Sequence, residues 1–170
     1  MKVLVADNLS PTGIEILKNE EGIEVDVKTG MSEEELIQVI PAYEGLLVRS
    51  ATKVTAAVIE AATNLKAVGR AGIGVDNIDV DAAGKKGVIV MNTPEGNVIT
   101  TAEHAMALML SMSRNIPQAN ISLRNKEWAP KKFMGVELYQ KTLGIIGLGR
   151  IGSVVAERAK AFHMKIIVHD

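Results

Sequence analysis

The sequence predicts an α/β protein: a doubly wound parallel sheet, followed by the first part of a second parallel unit. Five short apolar runs alternate with four helical stretches up to residue 94, the order that builds a parallel sheet covered by helices. A crossover at 92–96 carrying Pro94 and Gly96 then leads into a long apolar helix. Last, TLGIIGLGRIG at 142–152 is followed by a helical stretch, a second apolar run at 165–169 and Asp170.

The first strand is expected at Lys2–Ala6. Ser10 as a cap and Pro11 in the first turn open a helix that runs to about Lys18. Residues 23–28 alternate apolar and polar, as a half-buried edge strand does. Ser32 and Glu35 have capping-box spacing, and Pro41 ends the helix they open. Strands follow at Gly45–Val48, Leu65–Gly69 and Val88–Met91, with helices at about Thr55–Ala62 and Val80–Lys86. Right-handed crossovers between parallel strands are expected. The long helix spans about Val98–Arg114, with Thr100 and Glu103 spaced as a capping box, Ala102, Ala105, Met106, Met109 and Leu110 as its apolar stripe, and Pro117 as its end. A second helix runs to about Lys126, and residues 127–141 read as an exposed, irregular arm.

The end of the sequence has the parts of a dinucleotide site. Gly147 permits a tight turn, Gly149 lets backbone approach a pyrophosphate, and Gly152 lets the helix lie against the strand. The N–H groups and positive dipole end of that helix suit phosphate. Asp170 has about the ~20-residue spacing of the acid that accepts hydrogen bonds from an adenosine ribose. A carboxylate there also repels a 2′-phosphate, so NAD is expected over NADP. A bare GxGxxG is weak evidence, but the full strand–turn–helix–strand–acid context is specific.

Composition removes other classes. With 170 residues and a net charge of −1, and with no basic block, neither nucleic acid nor an anionic membrane is an expected partner. There is no cysteine, hence no disulfide, thiolate nucleophile or zinc–sulfur site. No apolar run approaches the ~20 residues of a membrane span, and a cytoplasmic location fits. His104, His163 and His169 lack the spacing of metal ligands or of a Ser-His-Asp order, and each reads better as structural or interfacial than as a general base. No metal site is expected.

Two loops leave alternatives open. In GRAGIGVDN at 69–77, the glycines around Ile73 can form an anion-binding nest with Arg70 beside it. Equally, they can bend a loop ahead of a helix capped by Asp76 or Asn77. In VRSATKVT at 48–55, Arg49 and the hydroxyls of Ser50 and Thr52 lie at a strand's carboxyl end, where open α/β sheets bind ligands. A solvated surface arginine is the other reading.

GRAGIGVDN, NTPEGN, TTAEHAMALML and KTLGIIGLGRIG in this order resemble the D-isomer-specific 2-hydroxyacid dehydrogenases. VRSATKVT and KKFMGVEL narrow the resemblance to members acting on a small phosphorylated 2-hydroxy acid, with a glyoxylate or hydroxypyruvate reductase as the other possibility. The resemblance implies a flavodoxin-like substrate lobe at 1–94 and the start of a Rossmann NAD-binding lobe at 95–170. It assigns Arg49, Ser50, Arg70, Gly72, Gly74 and Asn97 to the substrate. Ile73, Gly147, Gly149, Arg150, Ile151, Gly152 and Asp170 go to the cofactor, NAD. Two departures stand out. Ile73 occupies a position that can be threonine in relatives, and His163 one where glycine is usual. The family's catalytic arginine, glutamate and histidine fall after the second nucleotide strand, so none is expected in these residues. The chain then reads as an N-terminal part, inactive alone, that forms a homodimer or larger; a non-catalytic nucleotide-binding fragment is the alternative. Its strand at 143–147 and the apolar face of the helix at 151–161 are expected to lie open to water.

Overall fold

A computed structural model describes all residues, Met1–Asp170. The chain divides into two compact units, Met1–Gly96 and Asn97–Asp170.

The first unit is a five-stranded parallel sheet: β1 (Lys2–Val5), β2 (Glu24–Val27), β3 (Gly45–Val48), β4 (Ala67–Arg70) and β5 (Ile89–Asn92) in the order β2-β1-β3-β4-β5. That order is flavodoxin-like, and the winding reverses between β1 and β3. Helices α1 (Pro11–Lys18), α2 (Glu33–Val39), α3 (Ala56–Ala61) and α4 (Val80–Lys85) make the connections. Local chemistry sets their starts. Ser10 accepts from the Gly13 N–H, and Ser32 and Glu35 close a reciprocal capping box. Thr55 and Asp79 cap α3 and α4.

Leu4, Leu46, Val48 and Val68 of the strands form one buried cluster with Leu36, Ile40, Val58, Ile59 and Ala83 from the helical side. Each valine, leucine or isoleucine side chain among them contributes roughly 1.5–3 kcal/mol by leaving water. α1, against β2, buries no residue completely. The strand expected at Leu65–Gly69 begins two residues late, because the Leu65 N–H still closes the end of α3 onto the Ala62 carbonyl.

In the second unit, α5 (Val98–Ser113) and α6 (Ile116–Arg124) precede an irregular arm. β6 (Thr142–Ile146), α7 (Arg150–Ala161) and β7 (Lys165–His169) then form one parallel βαβ crossover. Three expectations change here. Thr100 and Glu103 do not cap α5: its N-cap is Asn97, without a side-chain bond, and Glu103 pairs with Arg158 of α7 at 3.3 Å. Pro117 does not close α5. The chain turns at Asn115, in the left-handed region with φ 53°, and the proline stands in the first turn of α6. The face of α7 is not left open, since Ala156 and Ala159 are buried where α7 packs on α5. Of the α5 stripe, Ala102 and Met106 are buried, Met109 and Leu110 half-buried and Ala105 exposed. No helix is long and apolar enough to cross a membrane.

Candidate functional site

The carboxyl edge of the first unit's sheet is held by a polar network around the end of β1. Asp7, directly after that strand, is 5% exposed. Its carboxylate accepts from the Arg49 N–H at 2.6 Å, the Thr52 hydroxyl at 2.6 Å and the Thr52 N–H at 3.2 Å. Burial acts to raise the Asp7 carboxyl. The bonds from Thr52 and Arg49 outweigh it and hold the group below its ordinary value. Asn77 secures the same loop from its acceptor side, donating Nδ2 to the carbonyls of Arg49 at 2.7 Å and Thr52 at 2.6 Å. The Asn77 Oδ1 is buried without a partner.

Arg49 and Ser50 therefore stand exposed on a loop whose backbone is fixed. The Arg49 guanidinium donates to the Asn8 carbonyl at 3.2 Å. Arg70 ends β4 with a side chain only 10% exposed, in an ion pair with Asp76 at 2.8 Å. Its Nε also donates to the Arg49 carbonyl at 3.3 Å. The 72–74 loop is tied to the end of β5: the Thr93 N–H donates to the Gly72 carbonyl at 2.9 Å, and the Asn92 side chain donates to the Ile73 carbonyl. Arg49, Ser50, Arg70, Gly72, Ile73 and Gly74 thus gather at the carboxyl ends of β3 and β4, beside the point where the sheet's winding reverses.

In the second unit the glycine turn has the geometry its sequence implies. Gly147 has φ 92°, open to glycine and costly for other residues. A Cβ on Gly152 would overlap the Gly147 carbonyl oxygen, so only glycine lets α7 start this close to the turn. A Cβ on Gly149 would meet nothing within 4 Å, which leaves open space at the helix entrance. No side chain caps α7, and its first N–H groups, at Arg150 and Ile151, are available to an anion. The Gly147 N–H donates to the His169 carbonyl at 2.8 Å, which brings Asp170, the next residue, beside the turn. Asn97 starts α5, its carbonyl accepting from the Thr101 N–H at 2.9 Å.

A family model for the catalytic domain of D-isomer specific 2-hydroxyacid dehydrogenases matches residues 3–167. The chain belongs to that family. It is 56% identical over 170 residues to D-3-phosphoglycerate dehydrogenase of Archaeoglobus fulgidus, covering 100% of this chain and 32% of that protein. The chain spans about a third of the length of such curated relatives. Among solved structures, NAD+-bound 3-phosphoglycerate dehydrogenase from Entamoeba histolytica is similar with TM-score 0.79 and 33% identity, covering 100% of this chain and 54% of that one. An acyclic imino acid reductase in complex with NADPH and D-Arg matches with TM-score 0.88 and 32% identity, over 99% of this chain and 55% of that one.

Two residues of the polar network were not singled out by spacing as site residues: Asp7 reads as the end of a strand and Asn77 as a helix cap. Neither Asp76 nor Asn77 caps α4, since Asp79 does; Asp76 pairs with Arg70 and Asn77 with the 49–52 loop. Ser153 fastens the glycine turn, its Oγ donating to the Leu148 carbonyl at 2.8 Å. His163 occupies a left-handed position, φ 57°, and its ring meets Tyr139 edge-on at 5.6 Å. Only the order of the strands would have pointed to Asp7, by placing it at the reversal point.

Proposed function

We propose that the chain is part of an NAD-dependent D-3-phosphoglycerate dehydrogenase, which oxidises the 2-hydroxyl of 3-phospho-D-glycerate to the 2-oxo acid, a step of serine biosynthesis. The glycine turn of the second unit carries the oxidoreductase reading. A left-handed Gly147, open space at Gly149 and the Gly152–Gly147 approach make a cradle that a dinucleotide pyrophosphate fits. Relatives of this fold hold NAD+ or NADPH, so the fold alone does not choose. The carboxylate of Asp170 does: it accepts from ribose hydroxyls and repels a 2′-phosphate.

When bound, NAD supplies the hydride acceptor. The chain's residues bind and orient. The N–H groups of Arg150 and Ile151 face the pyrophosphate, and Ile73 gives an apolar contact at the nicotinamide end. Arg49, supported by Ser50, takes the substrate phosphate, and Arg70 its carboxylate, with N–H groups that Asp76 and the Arg49 carbonyl leave over. Backbone at Gly72 and Gly74 and the side chain of Asn97 complete the substrate contacts. The group that exchanges the hydroxyl proton is proposed to be a histidine, accompanied by an arginine and a glutamate, outside these 170 residues. By themselves these residues then show no turnover.

The high identity to 3-phosphoglycerate dehydrogenases favours this substrate over a glyoxylate or hydroxypyruvate reductase. A cytoplasmic homodimer or larger assembly is part of the reading. Its support is the set of exposed apolar side chains on α5, α6 and the arm, among them Leu108, Met112, Ile121 and Trp128. The test is NADH formation by the full-length enzyme with 3-phospho-D-glycerate against glyoxylate and hydroxypyruvate in the reducing direction. A preference for either of the latter would replace the substrate assigned.

A further inference from the structure

We infer that Asp7 is a positioning residue for the phosphate end of the substrate, acting through the loop 49–52. This rests on the proposed function. The loop's backbone is held on both sides. The Asp7 carboxylate takes the N–H groups of Arg49 and Thr52 and the Thr52 hydroxyl, and Asn77 donates to the carbonyls of Arg49 and Thr52. Between these clamps lie Arg49 and Ser50, whose side chains remain exposed.

The carboxylate is suited to this by its charge. Ionised, it only accepts, and its two oxygens can take all three donors. An amide in its place has one accepting oxygen and turns an NH₂ toward N–H and O–H donors. Hydrogen bonds to a charged group are also roughly twice as strong as neutral ones, so the loop loses more than one contact. The Arg49 carbonyl, which accepts from Arg70 Nε as well, links the two cations assigned to the substrate's two ends. Movement of the loop therefore shifts Arg49 directly, and Arg70 through one bond.

Asp7 itself is buried and its oxygens are occupied by the loop, so it contacts neither substrate nor cofactor in this account. Its influence should appear in substrate affinity and follow the phosphate. The experiment compares wild-type full-length enzyme with Asp7→Asn and Thr52→Val, using 3-phospho-D-glycerate and D-glycerate, the same acid without the phosphate. Asp7→Asn is expected to raise KM for the phosphorylated acid by about tenfold, the scale of losing hydrogen bonds to a charged acceptor. The KM for NAD should not change, and kcat/KM for D-glycerate, which meets the loop only through Arg70, should fall much less. Thr52→Val removes one donor and keeps the side chain's shape, so it should move the same quantity less. If Asp7→Asn does not fold, Thr52→Val decides by the same comparison. Equal losses with both acids would show a structural role only, and unchanged KM in the folded variants would overturn the inference. Wild-type enzyme that turns over neither acid would instead overturn the proposed function.

Discussion

A Cβ on Gly152 would overlap the backbone carbonyl oxygen of Gly147, and neither atom has a side-chain torsion by which to swing aside. The turn between β6 and α7 consequently has one geometry, and the helix entrance faces the open space at Gly149. Sequence spacing suggested the three glycine roles. The structure separates them: Gly147 supplies conformation, Gly152 supplies proximity and Gly149 supplies room.

Gly152→Ala is expected to destabilise the second unit by roughly 1–3 kcal/mol, the usual cost of overpacking, and to weaken NAD binding. Gly149→Ala meets no atom within 4 Å, so it should leave thermal stability unchanged and weaken NAD alone. Melting curves with and without NAD separate the two. Equal melting temperatures for the two variants would contradict the assignment.

His163→Gly should be more stable than His163→Ala by about 1–2 kcal/mol, because alanine keeps the left-handed strain that glycine removes. Both lose the ring contact with Tyr139, so that contact cancels in the comparison. Urea denaturation of the two variants measures the difference. The same stability for both would mean that the turn relaxes elsewhere.

Acid should weaken the first unit in part through Asp7. Its folded carboxyl lies below its ordinary value, so its contribution is fully present above the unfolded value of about 3.9 and is lost as pH falls through the folded one. Asp26, drawn down mainly by the Tyr43 hydroxyl, and Glu44, drawn down mainly by Lys66, act with the same sign at the surface. Asp7→Asn should therefore flatten, not abolish, the fall in stability between pH 5 and 3 relative to wild type. An unchanged slope in urea melts over that range would show that folding does not lower the Asp7 carboxyl.

The alternation of apolar runs with capped helices was legible because each signal is local: Ser10 with Pro11, Ser32 with Glu35, and the apolar core runs at β1 and β3. The glycine turn was legible for the same reason. What escaped depends on atoms far apart in sequence. Nothing near Asp7 announces that its partners are Arg49 and Thr52, more than forty residues on. Thr100 and Glu103 have the spacing of a capping box, yet tertiary pairing with Arg158 takes the glutamate instead. Gly135 reads as a loop glycine. A Cβ there would overlap the Ser113 carbonyl oxygen, which accepts from the Val136 N–H at 2.9 Å as the arm crosses the end of α5.

The cofactor preference assigned to Asp170 is measured by calorimetric titration of full-length protein with NAD and with NADP, for wild type and Asp170→Ala. Wild type is expected to bind NAD at least about tenfold more tightly than NADP, a difference of roughly 1.4 kcal/mol. Asp170→Ala is expected to lose NAD affinity and to narrow the gap. Wild-type protein that binds NADP as tightly as NAD, or an Asp170→Ala variant with the preference intact, would contradict the assignment.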